Sequence, residues 1–161
     1  MPWYDYSMRK VSTADEDHWT VDYIPISGTV YDLDRSWTYY ISNEDVKDRV
    51  DPLFTLYFLA RVYYQNRKIV HLGDVWLDED LRGKKYKGEK ISRICLKKVI
   101  ASIWRSSPYI ERIYLEVHKK NIAAIRLYES LGFKVVVEHL TSPPFSEKKP
   151  GIQMKRMKRG V

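Results

Sequence analysis

Apolar positions follow a strand-like rhythm up to residue 77 and then change period. Residues 6–11 read as a short strand. The polar run from Ser12 to Asp17 then supplies a cap and first-turn acids, which predicts a helix that Pro25 and Gly28 cut short. Residues 37–42 are aromatic and branched and read as a strand, as do residues 56–64. Gln65 to Lys68 make a turn, and residues 69–77 return antiparallel to the preceding strand. From residue 89 to 104, apolar side chains fall at 91, 94, 95, 99, 100 and 103, the spacing of an amphipathic helix. Lys90, Arg93 and Lys97 take its opposite face. Residues 110–117 form a strand, Asn121 caps a helix over 122–131, and Gly132 ends it. Strands at 133–137 and 152–157 flank a loop with three prolines. This order predicts an α+β domain with a mixed, mostly antiparallel sheet flanked by helices.

Composition narrows the class. A chain of 161 residues, 44% hydrophobic and 30% charged, has the size and make-up of one globular domain over 1–161 and excludes a disordered or collagen-like chain. Its one cysteine excludes a disulfide framework and a Cys-based zinc site, and falls on the apolar stripe of the long helix. No apolar run reaches the roughly 20 residues of a membrane span, and the N-terminus lacks a signal-peptide layout, so the expectation is a cytoplasmic protein without a membrane partner. The net charge of +7 favours an anionic partner: nucleic acid, an anionic surface or a phosphate-bearing cofactor. The 13 tyrosines and 5 tryptophans could stack on bases, but they suit strands better.

Two segments carry candidate chemistry. The first runs from Val75 through Arg82, Gly83, Lys84, Lys85, Tyr86, Lys87 and Gly88, a strand entering a helix through a basic loop. Such a junction offers backbone N–H groups and a positive dipole end to a phosphate. The second runs from Tyr114 to Phe133 and contains N-x-x-A-I-x-L-Y-x-x-L-G-F from Asn121 onward. This run resembles the C-terminal motif of the GNAT superfamily, the acetyl-CoA-dependent N-acetyltransferases. The Arg82-Gly83 loop resembles that family's pyrophosphate loop, R-G-x-G-x-G, with a departure. Lys85 and Lys87 stand where glycines are expected, and one extra loop residue would bring Gly88 onto the last glycine. The likeness covers residues 69–139 well and residues 1–68 only by element order.

The resemblance implies a fold in which the strands at 69–77 and 110–117 are parallel neighbours that splay apart. It implies that acetyl-CoA is the co-substrate and a primary amine the acceptor: a polyamine, a protein N-terminus or lysine, or another small amine. Backbone groups of Val75, Trp76 and Leu77 would meet the pantetheine arm, Arg82 to Gly88 the pyrophosphate, and Asn121 and Ala124 the pantetheine from the helix start. Tyr128 would be the general acid. Three residues compete as base: Glu116, which alternation places on one face with Tyr114 and His118; Asp74, which resembles the acidic contact of polyamine acetyltransferases; and His71. No metal is expected, nucleic acid is not the expected partner, and a homodimer is compatible with the resemblance. The alternative is a non-catalytic GNAT-like module that binds RNA or a ribosome through the basic tail from Lys148. Acidic clusters at 15–17, 32–34, 44–45 and 78–80 could attract a polycation.

Overall fold

The computed structural model describes residues 10–11, 19–25, 37–43, 58–106 and 108–158. They fall into two compact units. One comprises the described parts of 1–63 together with 74–102, the other 64–73 with 103–161.

The first unit is built on an antiparallel meander. Strand β1 (Lys10–Val11) pairs with β2 (Trp19–Pro25), β2 with β3 (Trp37–Asn43), and β3 with β4 (Phe58–Tyr64). Only the end of the strand expected at 6–11 lies within the described residues, and the helix start at residues 12–17 lies outside them. Residues 19–25 correct the expected helix, because they form a strand. The reason is pairing: seven consecutive residues of β2 face β3 in register, and the aromatic and branched residues of this stretch suit a pleated surface. Trp19, Tyr39, Ile41, Phe58, Ala60 and Val62 are buried, alternating along β3 and β4.

The remainder of this unit starts midway along β5 (Ile69–Leu77), at Asp74. A 3-10 turn at Glu79–Leu81 follows, with Asp78 accepting from the Asp80 N–H. The basic loop then folds into a hairpin of β6 (Lys85–Tyr86) and β7 (Glu89–Lys90). Lys87 and Gly88 form its two-residue turn with φ of +50° and +85°, the left-handed pair of a type I′ turn. Helix α1 (Ile91–Ser106), which belongs to this unit as far as Ser102, buries Ile91, Cys95, Leu96, Val99 and Ile100, and Ile103 beyond that point is buried too. Leu96 thus takes the place in the apolar stripe expected for Ile94, which is half-buried.

The second unit holds the start of β5, β8 (Arg112–His118), α2 (Ile122–Ser130), β9 (Lys134–Leu140) and β10 (Gly151–Met157). Its strands lie in the order β5, β8, β10, β9. Strand β10 pairs antiparallel with β8 over its full length and with β9 on its other side. Strand β5 pairs parallel with β8, at Ile69–Arg112, Val70–Ile113 and His71–Tyr114. The expected sheet, mostly antiparallel with one parallel pair, is therefore present. The parallel register stops at His71 and Tyr114, although β8 runs on to His118. Val70, Leu72, Ile113, Leu115, Val117, Phe133, Ile152 and Met154 are buried. The turn into β5 is closed by the Gln65 N–H on the Ile69 carbonyl at 3.0 Å and by Asn66 Oδ1, which accepts from the Lys68 and Ile69 N–H groups. Among the described residues no helix is long and apolar enough to cross a membrane.

Gly151 opens β10 beneath a buried ring. A Cβ there would lie 2.6 Å from Phe145 Cδ1 and Cε1, and that ring stands edge-on to His118 with centroids 4.9 Å apart. Gly151→Ala is therefore expected to cost about 1–3 kcal/mol of stability through overpacking. Urea denaturation measures the loss, and a midpoint unchanged from the parent chain would contradict it.

Candidate functional site

Helix α2 is the best-specified element of the second unit. Asn121 Oδ1 accepts from the Ala124 N–H at 3.2 Å, so the residue expected at the cofactor is also the cap. At the other end Gly132 adopts φ +94°, its N–H donates to the Glu129 carbonyl at 3.0 Å, and the Phe133 N–H reaches back to the Tyr128 carbonyl at 3.1 Å. These paired bonds are a Schellman closure. Its usual apolar contact joins the residue two past the cap to the one three before it. Here those residues are Phe133 and Tyr128, whose rings meet edge-to-face at 5.8 Å. The L-Y-x-x-L-G-F run is thus a helix stop that also orients the Tyr128 ring. Burial leaves Tyr128 9% exposed and pushes its phenol up to about 12, so it holds its proton at neutral pH.

Glu116 lies on the face of β8 expected from alternation, with Ile113, Leu115 and Val117 buried on the other. Its Oε2 is hydrogen-bonded to His71 Nε2. His71 Nδ1 in turn meets Gln65 Nε2 at 2.9 Å. Two of the three candidate bases are therefore partners of each other. Gln65 escaped the sequence reading, because nothing local to a turn residue announces a partner on the neighbouring strand.

In the first unit, Asp74 breaks the alternation of β5. Val70 and Leu72 are buried, the next buried residue is Leu77, and Asp74 sits at φ +50°. The phase slips by one residue, the signature of a bulge, and leaves Trp76 45% exposed and Val75 half-buried. Asp74 Oδ2 accepts from the Tyr63 hydroxyl at 2.7 Å and pairs with Arg61 at 3.5 Å. Burial and this hydrogen bond both push the Tyr63 phenol up.

The basic loop uses many of its own backbone groups. The Lys84 N–H donates to the Leu81 carbonyl and the Ile91 N–H to the Lys84 carbonyl, while residues 85–90 pair across the hairpin. Arg82 Nε donates to the Leu77 carbonyl at 3.1 Å. Lys84, Lys85, Lys87 and Lys90 are exposed. Gly83, at φ +78°, and Gly88 face open space, where a Cβ would meet nothing within 4 Å. Tyr86 anchors the hairpin edge-on to Trp19, centroids 5.4 Å apart. Glu89, the one acid of this segment, bonds Arg93 and Lys97. Burial works to raise its carboxyl, and those two cations outweigh it and hold it low. Cys95 is fully buried, and burial pushes its thiol far up, away from nucleophilic use.

A sequence model of the acetyltransferase (GNAT) family matches residues 57–133, which include the basic loop, Glu116 and the α2 closure. That match spans 77 of the 161 residues, and over it the chain is similar to the GNAT acetyltransferases. A probable spermine N(1)-acetyltransferase of Bacillus subtilis subsp. natto is 36% identical over 84 residues, and a spermine/spermidine N(1)-acetyltransferase of Bacillus subtilis strain 168 is 34% identical over 84 residues. In both cases the match covers 50% of this chain and 51% of the relative, so the chain spans about half the length of the curated relatives it matches. Two solved structures share the fold. A spermidine N-acetyltransferase of Vibrio cholerae superposes with a TM-score of 0.56 at 18% identity, over 76% of this chain and 65% of that one. An IAA acetyltransferase of Bacillus cereus does so with a TM-score of 0.60 at 11% identity, over 87% and 99%.

Two predictions concern the closure of α2. Gly132→Ala forces a side chain into the left-handed region and is expected to cost about 1–2 kcal/mol, read by urea denaturation; an unchanged midpoint would contradict the closure. Tyr128 binds its proton more tightly folded than unfolded, so its contribution is full below pH 10, the unfolded value, and is lost as pH rises toward 12. The parent chain is expected to lose about 3 kcal/mol more than Tyr128→Phe across that window. Parallel unfolding curves for the two would contradict the shift.

Proposed function

We propose that the chain is an N-acetyltransferase that moves the acetyl group of acetyl-CoA to a polyamine. The buried Tyr128, held protonated beside the closure of α2, carries the reading, and the names of the Bacillus relatives support the acceptor. The basic loop suits a polyphosphate. Two left-handed glycines face open space and four lysines are exposed around them, so Arg82, Gly83, Lys84, Lys85, Tyr86, Lys87 and Gly88 would hold the pyrophosphate. Asn121 and Ala124, at the start of α2, would serve the pantetheine arm. The co-substrate supplies an activated acetyl thioester.

The residues divide the proton work. A polyamine is an ammonium near neutral pH and must lose a proton before its nitrogen can attack. Glu116 is assigned as the base, since its carboxylate accepts that proton and frees the lone pair. As the new N–C bond forms and the C–S bond breaks, Tyr128 donates its phenolic proton to the departing sulfur. Asp74 is less suited as base, because Tyr63 and Arg61 already engage its Oδ2. With Glu79 and Asp80, which are exposed, it offers negative charge to a polycation.

The test is release of free thiol from acetyl-CoA with spermidine, spermine, peptide N-termini and lysine peptides as acceptors. Turnover is expected with the polyamines, reduced about 10²-fold in Tyr128→Phe with little change in coenzyme affinity. Peptide turnover without polyamine turnover would overturn the acceptor, and a fully active Tyr128→Phe would remove the general acid.

A further inference from the structure

The Gln65–His71–Glu116 chain does more than list candidate bases, because its hydrogen bonds have a direction. Gln65 presents its amide nitrogen to His71 Nδ1 at 2.9 Å, and an amide nitrogen can only donate. Nδ1 therefore carries the lone pair, and the imidazole proton sits on Nε2. That Nε2–H points at Glu116 Oε2. The carboxylate is held by one oxygen, and the other is left to accept a proton. The three residues come from the turn before β5, from β5 and from β8, and lie within one unit. His71 faces Tyr114 across the parallel register, so the chain sits at the last residue pair before that register stops.

We propose that Gln65 and His71 are positioning residues for Glu116. Gln65 sets the tautomer of His71, and His71 aims the carboxylate for proton transfer from the acceptor ammonium. The proposal rests on the transferase reading given above. In the step, one ammonium N–H bond breaks and one O–H bond forms on Glu116, and no other group changes charge. His71 cannot itself take that proton, since Nε2 already bears one and Nδ1 is occupied by Gln65. A second proton on His71 requires the Gln65 amide to turn its oxygen toward Nδ1. An imidazolium at His71 would hold Glu116 in an ion pair and make it a weaker base, which is the state the Gln65→Glu variant tests. The other titratable or charged groups on this face are Arg112, Tyr114 and His118 of β8, Lys155 of β10 and its register partner Lys134 of β9, with Gln153 opposite Glu116. In the turn, Lys68 pairs with Glu111 and Arg67 stacks on Tyr109.

The experiment compares pH–rate profiles of the full chain and three variants, with spermidine as acceptor. In Gln65→Glu a carboxylate beside Nδ1 favours the imidazolium, so the acid limb of kcat/KM is expected to move up by about one pH unit or more. His71→Leu is expected to lose about tenfold or more in kcat/KM for the amine with the KM for acetyl-CoA unchanged, and His71→Gln, which keeps an N–H donor, to recover most of it. A Gln65→Glu profile that overlays the parent, or His71→Leu as active as His71→Gln, overturns the proposal. Nitrogen-15 NMR of the His71 imidazole reads the same arrangement without turnover. A proton on Nε2 in the parent and on both nitrogens in Gln65→Glu is expected, and a proton on Nδ1 alone in the parent overturns the proposal. If no amine turns over while NMR shows the expected tautomer, the transferase reading fails and the His71 tether stands.

Discussion

The Phe133 N–H on the Tyr128 carbonyl is the bond on which the candidate chemistry depends. It stops α2, turns the chain through Gly132 into β9, and brings the Phe133 ring against the Tyr128 ring. The contact that caps the helix also buries the phenol, and burial is what keeps it protonated. A helix end of this kind combines a stability requirement with a chemical one in the six residues from Tyr128 to Phe133. The left-handed backbone at Gly132, the ring at Phe133 and the hydroxyl at Tyr128 cannot be chosen independently.

The Glu116 carboxylate of the second unit is held by directed hydrogen bonds. A carboxylate alone on a strand would rotate freely and choose its partners from solvent. Glu116 is instead tethered through His71 to a turn residue whose own backbone closes the turn into β5. In the first unit the same logic gives a different result. Asp74, at the bulge of β5, is engaged by a hydroxyl and a guanidinium on one oxygen.

The basic loop answers its departure from the glycine-rich pattern with a built structure. Lys87 and Gly88 form a tight left-handed turn, so the extra loop residue closes a hairpin that satisfies its own backbone. Anion affinity at such a loop shifts from backbone donors toward lysine side chains, with Glu89 kept from opposing them by Arg93 and Lys97. Charge on flexible stems is screened by salt more readily than a preorganised ring of N–H groups.

Local pattern alone determined the α1 stripe, the Asn121 cap, the Gly132 stop, the alternation of β8 and the position of Tyr128, because each is written within one or two turns of chain. The GNAT resemblance was legible for the same reason: its motif is a run of adjacent residues. What local pattern missed depends on partners distant in sequence. The residues of β2 read locally as the continuation of a helix because the cap-like prelude is local, whereas the pairing with β3 is not. Pairing across strands likewise decided that His71 and Glu116 are bonded, that Gln65 sets the order of protons, and that Asp74 is held by Tyr63 and Arg61. The hairpin in the basic loop carried a local sign, a glycine at the second position of a two-residue turn, but lysines in a loop read equally well as solvated charge. Helix signals are short-range because the helix bonds residues four apart, whereas strand partners and side-chain chains are selected only when the chain has folded.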